Sequence, residues 1–208
     1  DLDFKAIDAV LKDGKTVVYP TETCYGLGCD ARNAEAVEKI AKIKQRHESK
    51  PLLVVVPDAA MALRYLEWGS KLQELADKYW FTRRSPPKAD EGEPDALTIV
   101  ARARPDCGLA SGVVASDGTV AFRVTSHPLA ARLSRELGAP LVSTSANISG
   151  QGQLYSASAV QQSFANQPDQ PDIIIDAGEL PQRAPSTVVR VAGDRVEVLR
   201  EGEAAINF

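Results

Sequence analysis

Thr16-Val17-Val18-Tyr19-Pro20-Thr21-Glu22-Thr23-Cys24-Tyr25-Gly26-Leu27-Gly28 decides how the rest of the chain is read. Residues 16–19 are β-branched and aromatic, and predict a buried strand. Pro20 removes a backbone donor and is expected to end that strand. A loop then presents two threonines, a carboxylate, a thiol and a tyrosine. Gly26 and Gly28 are expected to let the backbone turn tightly or approach a ligand closely. Hydroxyls at the carboxyl end of a strand stand where open α/β sheets bind small ligands. The plain alternative is a polar junction with satisfied hydroxyls, since most loops of this composition bind nothing.

Working outward, helical and extended patterns alternate. Phe4, Ile7, Val10 and Leu11 recur at helical spacing and predict an amphipathic helix ending at Gly14. Asn33 is placed to cap a helix whose apolar face is Ala36, Val37, Ile40, Ala41 and Ile43. It runs into Lys44-Gln45-Arg46-His47-Glu48-Ser49-Lys50, ahead of a buried strand over residues 52–56. Cations there complement the helix dipole, but a flexible Lys and a forked Arg also suit polyphosphate. Asp58 starts a helix carrying Met61, Leu63 and Leu66, and Ser70 is expected to cap another with Leu72, Leu75, Ala76 and Tyr79.

Residues 81–95 are rich in Pro, Arg, Lys, Asp and Glu and read as an inserted, solvated loop, mobile or a lid. Strands are expected over residues 96–103 and 119–124, then a helix with Leu129, Leu133 and Leu137 stopped by Gly138. Leu141-Val142 runs straight into Ser143-Thr144-Ser145-Ala146-Asn147-Ile148-Ser149-Gly150. Hydroxyls and amides crowded at a strand end can wrap a phosphate or a ribose. Residues 156–164 predict a helix and 173–176 a short strand. Strands on either side of Gly193-Asp194 predict a hairpin. The fold class is therefore α/β: one domain over residues 1–208, with a twisted mixed sheet and flanking helices.

Composition sets limits. The 208 residues are 44% hydrophobic and 25% charged, which suits a globular domain with a substantial core. The 24 Lys+Arg against 28 Asp+Glu argue against bulk electrostatic binding of nucleic acid, while allowing a local basic groove. The three cysteines, Cys24, Cys29 and Cys107, do not form a disulfide framework or a zinc spacing and read as reduced thiols of a cytoplasmic protein. No signal peptide or membrane-spanning apolar run is seen, so no membrane partner is expected. The chain starts at Asp1 without Met and reads as trimmed.

Taken together and in order, several motifs closely resemble the YrdC-like family, within it the short, single-domain bacterial threonylcarbamoyl-AMP synthases. They are Pro20-Thr21-Glu22-Thr23 with Tyr25-Gly26-Leu27-Gly28; Lys44-Gln45-Arg46 before Lys50-Pro51-Leu52; Val120-Ala121-Phe122-Arg123-Val124; Ser143-Thr144-Ser145-Ala146-Asn147-Ile148-Ser149-Gly150; and Ser186-Thr187-Val188-Val189 with Leu199-Arg200-Glu201-Gly202. The resemblance covers nearly the whole chain. It implies a basic concave cavity and a nucleotidyltransferase reaction joining L-threonine, bicarbonate or CO2, and ATP into threonylcarbamoyl-AMP and pyrophosphate. Mg²⁺ would accompany the ATP; its protein ligands stay unknown. A tRNA-modifying transferase complex would take the product for threonylcarbamoyladenosine at position 37, and a weak contact with tRNA or double-stranded RNA is compatible with the cavity.

By the same resemblance, Thr23, Arg123 and Ser186 would bind threonine, with Arg123 on its carboxylate. Lys44, Arg46 and Lys50 would hold the phosphates. Thr119, Ser143, Ser145 and Arg200 would line the nucleotide, with Asn147 supporting that loop. No side chain is assigned as acid, base or nucleophile, so catalysis is expected to rest on positioning and electrostatics. Removing Arg123 is expected to abolish activity and leave the fold intact. Two alternatives stand beside this reading: an RNA-binding module using the same cavity, and a paralogue acting on another carbamoyl substrate. The chain departs from the family pattern at residues 81–95, which replace a Pro-Gly turn after Trp80, and at His47, where relatives often carry Pro.

Overall fold

The computed structural model describes residues 2–46, 51–80, 96–202 and 204–206. The 81–95 insertion, His47 and Lys50 lie outside them. Among the described residues the order is α1 (Phe4–Lys12), β1 (Val17–Pro20), β2 (Tyr25–Gly28), α2 (Ala34–Ile43), β3 (Val54–Val56), α3 (Ala59–Leu63), α4 (Ser70–Leu75) with a π-helical turn at Ala76–Trp80, β4 (Leu97–Arg102) and β5 (Thr119–Val124). Then follow α5 (Pro128–Leu137), β6 (Leu141–Val142), β7 (Thr144–Ser145), α6 (Ala157–Phe164), β8 (Ile173–Ile174), β9 (Thr187–Ala192) and β10 (Arg195–Arg200).

The helices start and stop where local chemistry allows. Asp3 accepts from the amides of Lys5 and Ala6, Asn33 from Ala36, Asp58 from Met61 and Ser156 from Ala159. Each satisfies a donor that the first helical turn leaves open. Gly138 ends α5 at φ +70°, the left-handed conformation that glycine takes at least cost. Two starts and stops differ from expectation. Gly69, not Ser70, is the N-cap of α4, in extended backbone with no side-chain cap bond. The helix from Asp58 stops at Leu63, and Leu66 instead bridges to Ala103.

The strands form two mixed sheets rather than one. The smaller has order β7-β2-β1-β8 and the larger β10-β9-β4-β5-β3-β6. In the larger, β4 runs parallel to β9 and β3 parallel to β5, while the β9–β10 hairpin turns where expected. The expected glycine loop at Tyr25–Gly28 is a strand, β2, antiparallel to β1, and Pro20 stays in register opposite Tyr25. The reason is close approach. A Cβ on Gly28 would stand 2.1 Å from the Val142 carbonyl oxygen and 2.8 Å from the Tyr19 ring. Gly28 thus lets β2 press against β6, and no turn is involved.

One apolar core packs α2, α3, α4 and α6 against Leu97, Ile99, Phe122 and Val189, and a second packs α1 and α5 against Tyr19, Val55 and Leu141. Between them the chain changes sheet. Leu141–Val142 belongs to the larger sheet and Thr144–Ser145 to the smaller, and the Ser143 amide donates to the Leu53 carbonyl between them. The hydroxyl run therefore lies at the seam.

Gly28→Ala is expected to cost about 3 kcal/mol or more, because backbone must move. Gly138→Ala, at an open position, should cost only about 1 kcal/mol. Urea unfolding of the two variants checks the contrast.

Candidate active site

At the seam lies a cavity of about 220 Å³, lined by Thr21, Thr23 and Cys24 from the β1–β2 turn, by Gly26 of β2 and by Arg46 after α2. Pro51, Leu52, Leu53, Arg123, the Ser143–Thr144–Ser145 run, Gln153, Pro185, Ser186 and Arg200 complete the lining among the described residues.

The β1–β2 turn is organised by one hydroxyl. Thr21 Oγ1 donates to the Cys24 carbonyl (2.7 Å) and accepts from the amides of Thr23 (3.2 Å) and Cys24 (3.3 Å). Thr23 Oγ1 lies 3.1 Å from the same oxygen, at the edge of the cavity. Burial pushes the Cys24 thiol above its usual range, so it stays protonated at neutral pH.

Arg123 forms the floor. Its side chain is 5% exposed, and that of Glu22, whose carboxylate lies 2.9 Å from Arg123 Nε, is 1% exposed. The Nε–H is not aimed squarely at the oxygen, so the contact is an ion pair more than a directed hydrogen bond. The other carboxylate oxygen accepts from Thr125 Oγ1 at 2.6 Å. Removing one member of a buried pair strands the other, typically at about 3–5 kcal/mol. The expectation that Arg123 can be removed without harm to the fold is thereby corrected.

Arg200 is tied to Ser186. Its Nε and Nη2 donate to the Ser186 carbonyl (3.0 and 2.7 Å) and Nη2 also to Ser186 Oγ (3.0 Å). Thr98 Oγ1 sits 2.9 Å from the same Ser186 oxygen. Burial and the nearby Arg123 charge lower the Arg200 pKa from its usual value.

Thr23, Arg46, Arg123, Ser143, Ser145, Ser186 and Arg200, all expected from the sequence, line this one cavity. Lys44 and Asn147 stand behind its wall. The buried Lys44 ammonium donates to the carbonyls of Ser145 (2.5 Å) and Asn147 (2.8 Å). Asn147 Nδ2 donates to the carbonyls of Ile148 (2.9 Å) and Gln151 (2.6 Å). Both residues hold the hydroxyl loop; the Lys44 ammonium, expected on the phosphates, is bonded here to these two carbonyls. Burial, then the Arg46 charge, lowers the Lys44 pKa to about 8.

Thr119 is not at the site, contrary to expectation. It begins β5, four residues or about 13 Å from Arg123. There it lines a separate cavity with Arg102, Asp117 and Arg190, and donates to Asp117 at 2.6 Å. Glu22, Thr98 and Thr125 were given no role from sequence. The one signal was Glu22, a carboxylate between two apolar strands.

No described group of three or more His, Cys, Asp or Glu could hold a metal, and no carboxylate is among the described lining residues. The described lining therefore does not fit a protein-held Mg²⁺. No described helix is long and apolar enough to cross a membrane.

A mixed α/β domain with one hydroxyl- and guanidinium-lined cleft at the seam of two sheets defines a class of small-molecule-binding domain. Comparison with known proteins specifies it further. The Sua5/YciO/YrdC family model, described as "Telomere recombination", matches residues 9–202. The chain belongs to this family. It is 35% identical over 193 residues to the threonylcarbamoyl-AMP synthase of Vibrio vulnificus, covering 92% of this chain and 94% of the relative. A Bacillus subtilis relative of the same name is 35% identical over 93% of this chain, which spans 51% of its length. P. abyssi Sua5 complexed with L-threonine superposes with TM-score 0.78 at 28% identity, over 96% of this chain and 54% of that one. E. coli YciO gives 0.75 at 25% identity, over 96% and 88%.

The Lys44 pKa near 8, against the usual 10.5, has a definite sign. Between those pH values the unfolded chain binds more protons, so the Lys44 contribution to stability rises with pH. Urea unfolding at pH 8 and pH 10 should show a more positive stability slope for wild type than for Lys44→Met.

Proposed function

We propose that this chain is an L-threonylcarbamoyladenylate synthase, an ATP-dependent nucleotidyltransferase acting on L-threonine and bicarbonate or CO2. The observation that carries the reading is the convergence of Thr23, Arg46, Arg123, Ser143, Ser145, Ser186 and Arg200 on one cavity. The named relatives, one of them solved with L-threonine, support it.

Arg123 offers a guanidinium to the threonine carboxylate, and Thr23 and Ser186 offer oxygens to its polar groups. Arg46 faces the phosphates, and Lys50 is assigned to the same anion on the family resemblance alone. Ser143, Ser145 and Arg200 take the nucleotide, while Lys44 and Asn147 keep their loop in shape; Thr119 is left out. The threonine nitrogen bonds to the carbon of CO2 and loses a proton to water, giving a carbamate. A carbamate oxygen then bonds to the α-phosphorus as its bond to the pyrophosphate oxygen breaks. The side chains contribute orientation and charge, and none is asked to become a nucleophile. Mg²⁺ is proposed only as arriving with ATP, bound by phosphate oxygens and water. The work is placed in the cytoplasm, with a tRNA-modifying transferase consuming the product.

The test is threonine-dependent pyrophosphate release from ATP in bicarbonate buffer. Arg46→Ala is expected to lower kcat/KM about 100-fold, the scale of one charge-assisted contact. Wild-type rates in that variant would overturn the phosphate assignment. Pyrophosphate release that ignores threonine would overturn the substrate.

A further inference from the structure

We propose that Glu22, fixed by Thr125, is a positioning residue for Arg123 and so governs affinity for the amino-acid carboxylate. The proposal rests on the reading of Arg123 given above and names two residues outside the set that contacts substrate.

Three observations lead to it. First, Glu22 and Arg123 are almost wholly buried at 2.9 Å, in a contact that is coulombic more than directional. Such a pair attracts strongly but does not by itself set an angle. Second, the angle is supplied from behind. Thr125 Oγ1 donates to Glu22 at 2.6 Å and accepts from the His127 amide at 3.2 Å, while the Thr125 amide donates to the Val56 carbonyl at 3.1 Å. The hydroxyl rotor is thus set by backbone on either side of β5's end, and one carboxylate oxygen is pinned. Third, Arg123 lines the cavity and Glu22 does not. With Nε beside Glu22, the two terminal nitrogens carry four further N–H groups in a fork that matches a carboxylate.

Charge points the same way. Arg123 lies near enough to Arg200 to lower its pKa. Two guanidiniums in one cleft repel, and the Glu22 charge offsets part of that repulsion before any anion arrives. The substrate carboxylate then meets a guanidinium already held in place, and little rotamer entropy remains to be lost on binding.

Thr125→Val removes the pin without touching substrate. It should raise KM for threonine about tenfold, the effect of one lost hydrogen bond, with kcat and KM for ATP within twofold of wild type. Thr125→Ser restores the hydroxyl and should restore KM. Glu22→Gln keeps the shape, removes the charge and should raise threonine KM further; if it fails to fold, Thr125→Val and Thr125→Ser decide. An unchanged threonine KM in folded Thr125→Val overturns the proposal. So does a parallel loss for threonine and ATP that tracks lowered Tm, since a merely structural role predicts that. These results leave the functional reading standing. A wild-type protein without threonine-dependent pyrophosphate release removes both.

Discussion

The Glu22–Arg123 pair is the constraint around which the cleft is built. Glu22 comes from the turn of the smaller sheet and Arg123 from β5 of the larger. Two charges taken out of water tolerate little separation, because neither has solvent to replace its partner. The pair therefore holds the sheets at a set spacing, and the cavity is the space left between them.

The opposite wall depends on a second buried charge. Lys44 ends α2, a helix anchored in the larger core, and its ammonium holds two carbonyls of the Ser143–Asn147 run. A loop with so many hydroxyls could satisfy them on its own backbone in several ways. The lysine and the Asn147 amide reduce that freedom by fixing the carbonyls of Ser145, Asn147, Ile148 and Gln151 beside a run whose Ser143 and Ser145 line the cavity. Gly28 contributes by letting β2 lie against Val142, just where the chain leaves one sheet for the other.

Local pattern carried much of the fold. Apolar spacing marked α1, α2 and α5, Asn33 capped its helix and Asp58 began its own as expected, and Gly193-Asp194 turned the β9–β10 hairpin. These features depend on neighbours within a few residues. The misreadings involve distant partners. Tyr25–Gly28 was taken for a loop because Gly28 answers to Val142 on a distant strand. The two carbonyl partners of Lys44 lie 101 and 103 residues further on, beyond any local pattern. Thr119 shares a strand face with Arg123, but strand length carries it out of reach of the cleft.

By itself, the order of residues determined the α/β class, most of the helices and strands, and the roster of hydroxyls and cations from which a polar cleft could be made. Only the tertiary structure decided which of them face the cavity, which brace it from behind and which stand elsewhere. The physical reason is that a buried charge or hydroxyl acquires its role from its partner in space. For Arg123, Lys44 and Ser143 that partner is brought near by packing and not by sequence.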